Sequence, residues 1–298
     1  MGTKKTRASQ PARTTRGPAA RSKSRAKGEL PSARTSSKHD LYQQSVQCPE
    51  AEVEFVEKVY TKRFGVRPVK IREDFCGTAY TSCEWVRRRK GNVAVGLDLH
   101  GPTIRWGLEH NAKDLDAEQR SRLRLFKRNV LSPNAEGKGV DAVLAMNFSY
   151  WVFQTRDSLR AYFASVKKSL KKKGLFYLDI MGGWESMKEQ QERRRQKGFT
   201  YVWDQAEFDP ITNRIRCHIH FEFKRKGGTQ GPAMRKAFTY DWRLWTIPEV
   251  RELLAEAGFK ASTVYWEGDD GKGGGNGVFK PQKKGEACES FIAYIVAE

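Results

Sequence analysis

The chain has no apolar run approaching the ~18 residues a membrane-spanning helix needs, so a helical membrane protein is excluded and no membrane partner is expected. None of its five cysteines (Cys48, Cys76, Cys83, Cys217, Cys288) forms a Cys-x-x-Cys pair, and no secretory leader precedes them. A disulfide framework is therefore not indicated, and the expected setting is free thiols in a reducing cytoplasm. No internal repeat is visible. The first 38 residues contain no aromatic side chain and a single acid, Glu29.

What is present divides unevenly. Of the net charge of +20, half sits in residues 1–38, which hold eleven Lys and Arg. A segment rich in Ser, Thr, Ala and Arg cannot bury enough apolar surface to offset its ordering entropy, so 1–38 is expected to be a disordered basic tail. Such a tail can tether nucleic acid, or it can act as a solubilising or targeting extension. Met1-Gly2-x-x-x-Thr6 loosely matches a myristoylation signal, and a transit peptide would need an amphipathic face that the segment lacks. The rest, residues 39–298, is globular in composition: the chain is 38% hydrophobic and 11% aromatic even with the tail included.

Beyond the tail the pattern alternates. Pro49 opens a helix carrying Val53, Val56, Tyr60 and Phe64 at helical spacing, with Lys62 and Arg63 ending it. Strands are predicted at Val69–Phe75, Asn92–Leu97, Leu123–Phe126, Val140–Met146 and Leu175–Ile180, with helices over 79–90, from Gly101 to Asn111, and over Asp157–Leu170. This alternation predicts an α/β fold with a parallel, doubly wound sheet. A charged helical stretch is expected from Gly182-Gly183 to Lys197. An antiparallel meander over Thr200–Phe208, Arg214–Lys224 and Met234–Leu244 follows it. Thr246-Ile-Pro-Glu249 reads as a capping box. The last strands, Ser262–Trp266 and Ser290–Ala297, are expected to be joined by a glycine-rich loop, Gly271–Gly277.

Two stretches carry the chemistry. Ile71-Arg-Glu-Asp-Phe-Cys-Gly-Thr-Ala79 reads as a buried strand, a tight turn and a helix start. Gly96-Leu-Asp98 reads as a second strand with an acid at its carboxyl end. Gly77 and Asp98 stand 21 residues apart, close to the ~20 that separate a glycine turn from a ribose-binding acid in a nucleotide-binding βαβ unit. An adenosine-containing cofactor is the expectation.

The order of elements resembles class I S-adenosylmethionine-dependent methyltransferases over about residues 42–298. Glu73-Asp-Phe-Cys-Gly77-Thr78-Ala79 resembles the family's acid-x-Gly-x-Gly-x-Gly turn, Asp98 its ribose acid, and Asp141-Ala-Val-Leu-Ala-Met-Asn147 its fourth strand. The aromatic insertion at 184–245 is similar to the lid sheets of small-molecule N-methyltransferases that act on glycine or sarcosine. Phe75 and Ala79 stand where the family's first and third glycines fall. Those losses count more against NAD, whose pyrophosphate needs close backbone approach, than against S-adenosylmethionine, which carries no phosphate.

The resemblance implies a seven-stranded sheet and S-adenosylmethionine as cofactor. Phe75, Cys76, Gly77, Thr78 and Ala79 would frame the amino-acid end of that cofactor, and Glu73 would receive its ammonium. Asp98, with Leu99 beside it, would bind the ribose. Asn129 and Val130 would face the adenine, and Met146, Asn147 and Phe148 would wall the methyl group. Cys76 is expected to pack rather than attack, since nothing nearby suggests an activating base.

In-line methyl transfer needs an aligned lone pair in a dry, aromatic site. Tyr150, Trp151 and Tyr240 are candidate walls, and Arg243 a candidate clamp for a substrate carboxylate; each has a plainer reading as core or as a surface ion pair. A small-molecule amine or acid is the favoured partner. Asn147-Phe-Ser-Tyr150 also faintly resembles the Asn-Pro-Pro-Tyr motif of nucleic-acid amino-methyltransferases, for which the basic tail, Lys167-Lys168, Lys171–Lys173 and Arg193–Arg195 would supply phosphate contacts. A third reading, a non-catalytic binding protein on this fold, is opposed by the intact Gly77 and Asp98. His218-x-His220 lacks a third ligand at useful spacing, so no metal is expected.

Overall fold

The structure, a computed structural model, describes residues 36–224, 230–271 and 274–298. The basic segment up to residue 35, its myristoylation match and residues 225–229, between the second and third strands of the expected meander, lie outside the described residues.

Helix α1 (Lys38–Val46) is capped by the Ser37 hydroxyl, which accepts the His39 amide. Helix α2 (Pro49–Phe64) has the charge order a helix favours: Glu50 and Glu52 in its first turn, Lys62 and Arg63 in its last. Gly65 stops it in a left-handed conformation, φ 72°, returning its amide to the Thr61 carbonyl. The alternating part follows as β1 (Lys70–Asp74), α3 (Tyr80–Arg88), β2 (Val93–Asp98), α4 (Gly101–His110), α5 (Ala117–Ser121) and β3 (Leu123–Lys127). Next come β4 (Val140–Ala145), α6 (Arg156–Ser169) and β5 (Leu170–Gly182).

β1, β2, β3, β4 and β5 pair in parallel, in the order β5-β4-β1-β2-β3. Both faces are covered, which suits the near-continuous burial of β4. Val53, Val56 and Trp85 from α2 and α3 pack on one face against Ala94, Ala142 and Tyr177. Tyr162, Phe163 and Leu253 pack on the other against Val95, Val143 and Phe176. The strand order reverses between β4 and β1, so the crevice where open α/β sheets take ligands lies beyond the carboxyl ends of these two strands.

Two expectations needed correction beyond β5. The charged stretch after Gly183 is no helix: a short turn over Trp184–Met187 leads into a strand, β6 (Gln190–Arg195). Its side chains alternate, with Gln190, Glu192 and Arg194 half-buried and their neighbours exposed. Long polar stems cover aromatic surface here, and the Arg194 guanidinium lies 4.6 Å from the centre of the Tyr201 ring. β6 is the edge of an antiparallel sheet completed by β7 (Phe199–Asp209), β8 (Arg214–Lys224) and β9 (Gln230–Arg243). The inner face of this sheet buries Phe199, Tyr201, Ile219 and Phe221 together with Leu41 of α1.

The chain then returns through α7 (Ile247–Glu256), capped by the expected Thr246–Glu249 box, to β10 (Ser262–Asp269), β11 (Gly275–Gln282) and β12 (Phe291–Ala297). β12 lies antiparallel between β5 and β10. The second correction is β11. Part of the supposed glycine-rich loop is an eighth strand, hydrogen-bonded to β10 at the sheet edge. Gly275 leaves room there for the Glu267 carboxyl group, which a Cβ at 2.2 Å would push aside.

Candidate functional site

The turn after β1 is built from backbone that L-residues rarely adopt. Phe75 (φ 56°), Gly77 (φ 52°) and Ala79 (φ 55°) are all left-handed, the three positions where the resembled motif has glycine. Each non-glycine residue there costs about 1–2 kcal/mol, so the surroundings must hold it. The Phe75 ring packs 5.6 Å from Tyr162 and 6.1 Å from Phe153, and the Ala79 methyl is fully buried. The Cys76 amide donates to the Leu97 carbonyl, pinning the turn to the end of β2. Burial pushes the Cys76 thiol well above its ordinary value, which keeps it protonated and inert.

Asp98 meets the same turn from β2. Its carboxylate accepts the Gly77 amide at 2.8 Å and the His100 amide at 2.7 Å, one on each oxygen. Each oxygen retains a lone pair for a hydroxyl. His100 caps α4, and its Nδ1 lies 2.6 Å from the Thr103 hydroxyl. α4 is seated tightly on the turn at Gly107, and Asn111 donates to the Thr78 carbonyl at 2.9 Å. From the other side Gln43 of α1 donates to the Thr78 hydroxyl at 2.8 Å.

Beside Asp98, Leu99 stands 63% exposed. Asn129 and Val130 follow the adjacent strand β3. Val130 is buried, whereas Asn129 is exposed and its side-chain oxygen accepts the Leu131 amide at 2.9 Å. Leu131, 39% exposed, was not picked out by the sequence; with Leu99 it offers apolar surface at the ends of two neighbouring strands.

β4 ends in a second left-handed pair, Asn147 (φ 57°) and Phe148 (φ 55°). Asp179 of β5 holds that bend: one carboxylate oxygen accepts the Asn147 amide at 2.8 Å, the other the Phe148 amide at 2.9 Å. Burial raises the Asp179 carboxyl to about 7 despite those two bonds. Met146 is buried beneath the bend, and the Phe148 ring points toward Trp151 (5.4 Å) and Trp242 (6.3 Å).

Three buried carboxylates face this region. Burial raises Glu73 to about 8, with Ser82 opposing the shift and the charge of Glu52 adding to it. Burial likewise raises Glu52, which lies on α2 and influences Asp179 as well. Glu52 and Asp179 were missed by the sequence reading, the first as one acid among several on an amphipathic helix, the second inside an apolar strand.

The proposed substrate-side residues are placed differently from one another. Tyr150 is fully buried, its hydroxyl donating to the Asp179 carbonyl at 2.9 Å, so its ring is not free to stack on a base. Trp151 is fully buried too, beside the Tyr150 hydroxyl. Tyr240 is half-buried on β9, stacked 4.3 Å from Trp242 and bonded to Tyr42 of α1. Arg243 is committed to Glu249 at 3.0 Å and lies over Trp245 at 3.9 Å. His220 pairs with Asp204 at 3.0 Å and His218 with Thr239 at 2.9 Å; no metal-binding group of three or more residues occurs among the described residues.

No protein-family model matches the sequence, and no curated protein matches it. Solved structures match by shape. A S-adenosylmethionine-dependent methyltransferase from Clostridium acetobutylicum aligns with TM-score 0.61 at 13% identity, over 86% of this chain and 96% of its own. The sugar N-methyltransferase KedS8 from Streptoalloteichus aligns with TM-score 0.56 at 17% identity, over 93% and 98%. CalS10, an amino pentose methyltransferase from Micromonospora echinaspora, aligns with TM-score 0.57 at 14% identity, over 86% and 95%. The chain thus has the class I S-adenosylmethionine-dependent methyltransferase fold, with the antiparallel insertion after β5.

Proposed function

We propose that the protein is an S-adenosylmethionine-dependent methyltransferase acting on a small-molecule amine or acid. The observation that carries the reading is the Gly77–Asp98 junction: a tight turn and a ribose-type acid bonded to each other beyond the ends of β1 and β2, beside the switch point of the sheet. The donor set suits this cofactor. Buried carboxylates face a ligand that bears two positive charges, and Arg72, the basic residue nearest the turn on the strand that leads into it, is taken up by Asp74 and the Gly137 carbonyl. The shape neighbours whose substrates are named, KedS8 and CalS10, act on sugars, which favours the small-molecule reading.

The cofactor, when bound, supplies an electrophilic methyl group on a sulfonium. This chain's residues position and shield. Asp98 orients the ribose, and Leu99 and Leu131 with Asn129 and Val130 cover the adenine. The turn from Phe75 to Ala79 frames the amino-acid end, with Glu73 beside its ammonium. The Met146–Phe148 bend, fixed by Asp179, sets one wall of the reacting centre. Trp203, Tyr240 and Trp242 of the lid exclude water and offer aromatic faces to cationic groups. A substrate carboxylate at Arg243 would have to share that side chain with Glu249. The seated Tyr150 ring removes the main support for base flipping, and the nucleic-acid alternative then rests on basic charge alone: the tail, Lys167-Lys168, Lys171–Lys173 and Arg193–Arg195.

Calorimetric titration of the whole chain with S-adenosylmethionine and S-adenosylhomocysteine tests the proposal, followed by a methyl-transfer screen of small amines and acids alongside RNA. Micromolar binding and turnover of a small acceptor are expected. A folded protein that binds neither ligand would refute the reading in favour of a non-catalytic binding protein.

A further inference from the structure

Consecutive residues in the first turn of α3 hold two different carboxylates. The Thr81 hydroxyl donates to one oxygen of Glu52 at 2.8 Å. The Ser82 hydroxyl and amide donate to one oxygen of Glu73 at 2.5 and 2.9 Å. Glu52 arrives from α2 and Glu73 from β1, and both are more than nine-tenths buried, 7% and 8% exposed. The second oxygen of each has no hydrogen-bond partner among the described residues, yet neither is sealed from solvent. A buried carboxylate without a counter-charge is costly. Two of them, clasped side by side next to the cofactor turn and each with an open oxygen, make a receptor for a group with several N–H donors and a positive charge.

We propose that Glu52 is a cofactor-binding residue, which together with Glu73 clasps the ammonium of the amino-acid end between two carboxylate oxygens. This rests on the cofactor reading above. It assigns part of the binding to α2, outside the nucleotide-binding motif. It also makes binding a proton exchange. The empty pair keeps a proton at neutral pH, because burial and mutual charge hold Glu73 near 8. The groups bearing on Glu52 and Glu73 are Glu50 on α2, Tyr42 on α1, Tyr294 on β12, Asp179 on β5, Asp98 on β2, Cys76 of the turn and Cys83 on α3, acids, phenols and thiols throughout. None supplies the missing positive charge. An arriving ammonium does so, and the retained proton leaves to solvent.

The test is calorimetry on the whole chain at pH 7 with S-adenosylhomocysteine and its des-amino analogue, each in two buffers of different ionisation enthalpy. The wild type should bind the amino ligand at least tenfold more tightly and release close to one proton with it, but not with the analogue. Glu52→Gln should lose tenfold or more for the amino ligand and stay within twofold for the analogue. Equal losses for both ligands would make Glu52 a structural residue and overturn the inference. Should Glu52→Gln fail to fold, the wild type decides: equal affinities and equal proton counts for the two ligands would overturn it. Wild type binding neither ligand would instead bring down the cofactor reading, a distinguishable failure.

Discussion

A Cβ on Gly107 would stand 2.3 Å from the Thr78 carbonyl oxygen, so α4 rests on the cofactor turn at a separation that only glycine permits. Gly107→Ala must therefore push α4 or the turn aside. Overpacking of this kind costs about 1–3 kcal/mol. A lowered melting temperature and a weakened affinity for S-adenosylhomocysteine are expected together. Unchanged values for both would show that the turn yields freely.

Asp98→Ala should cost more in binding than in folding. It removes an acceptor for two ribose hydroxyls, and charge-assisted hydrogen bonds contribute about 1.5–3 kcal/mol each. It also frees the amides of Gly77 and His100. A fall in affinity of at least tenfold by calorimetry is the expected outcome, with Asp98→Asn between the two.

The two left-handed residues of the turn that are not glycine should respond differently to replacement by glycine. At Ala79 the relief of backbone strain, about 1–2 kcal/mol, is offset by a lost methyl and by the added freedom of the unfolded chain, about 0.5–1 kcal/mol. Ala79→Gly should leave stability nearly unchanged or slightly raised. Phe75→Gly gains the same relief but loses the ring between Phe153 and Tyr162, so it should destabilise. Urea unfolding of the two variants separates them.

The empty protein should become less stable as pH rises through neutrality. Glu73 is raised from an ordinary 4.5 to about 8 and Asp179 from 3.8 to about 7, burial being the main cause for each. Below pH 4 both are protonated folded or unfolded, and their contribution is fully present. Between about 4 and 8 the unfolded chain releases these protons while the folded one retains them, so stability drains away. Melting curves at pH 5, 6.5 and 8 should show the decline, and Glu73→Gln should flatten part of it.

Much of this was readable in the residues. Asp98 and Gly77 stand out because a polar acid ends an apolar strand at a fixed distance from a glycine. The parallel sheet is legible because its strands are buried on both faces. Asp179 was hidden for the same reason, as one acid within Leu175–Ile180, and its partners are backbone amides that no side-chain pattern reveals. Glu52 looked like a solvated helix charge because its partner, Thr81, lies 29 residues away. β6 was mistaken for a helix because Arg and Glu stems bury apolar length without appearing apolar. β11 was obscured by Gly275 and Gly277, which carry no side chain to show the alternation of a strand.

Helix α1 touches both halves of the molecule. Gln43 holds Thr78 of the cofactor turn, while Leu41 and Tyr42 sit in the lid. Gln44, on its exposed side, is turned outward between them. A fluorophore placed at Gln44 would therefore act as a gauge: a shift of the antiparallel sheet against the turn after β1 would be felt by the nine-residue helix that touches both.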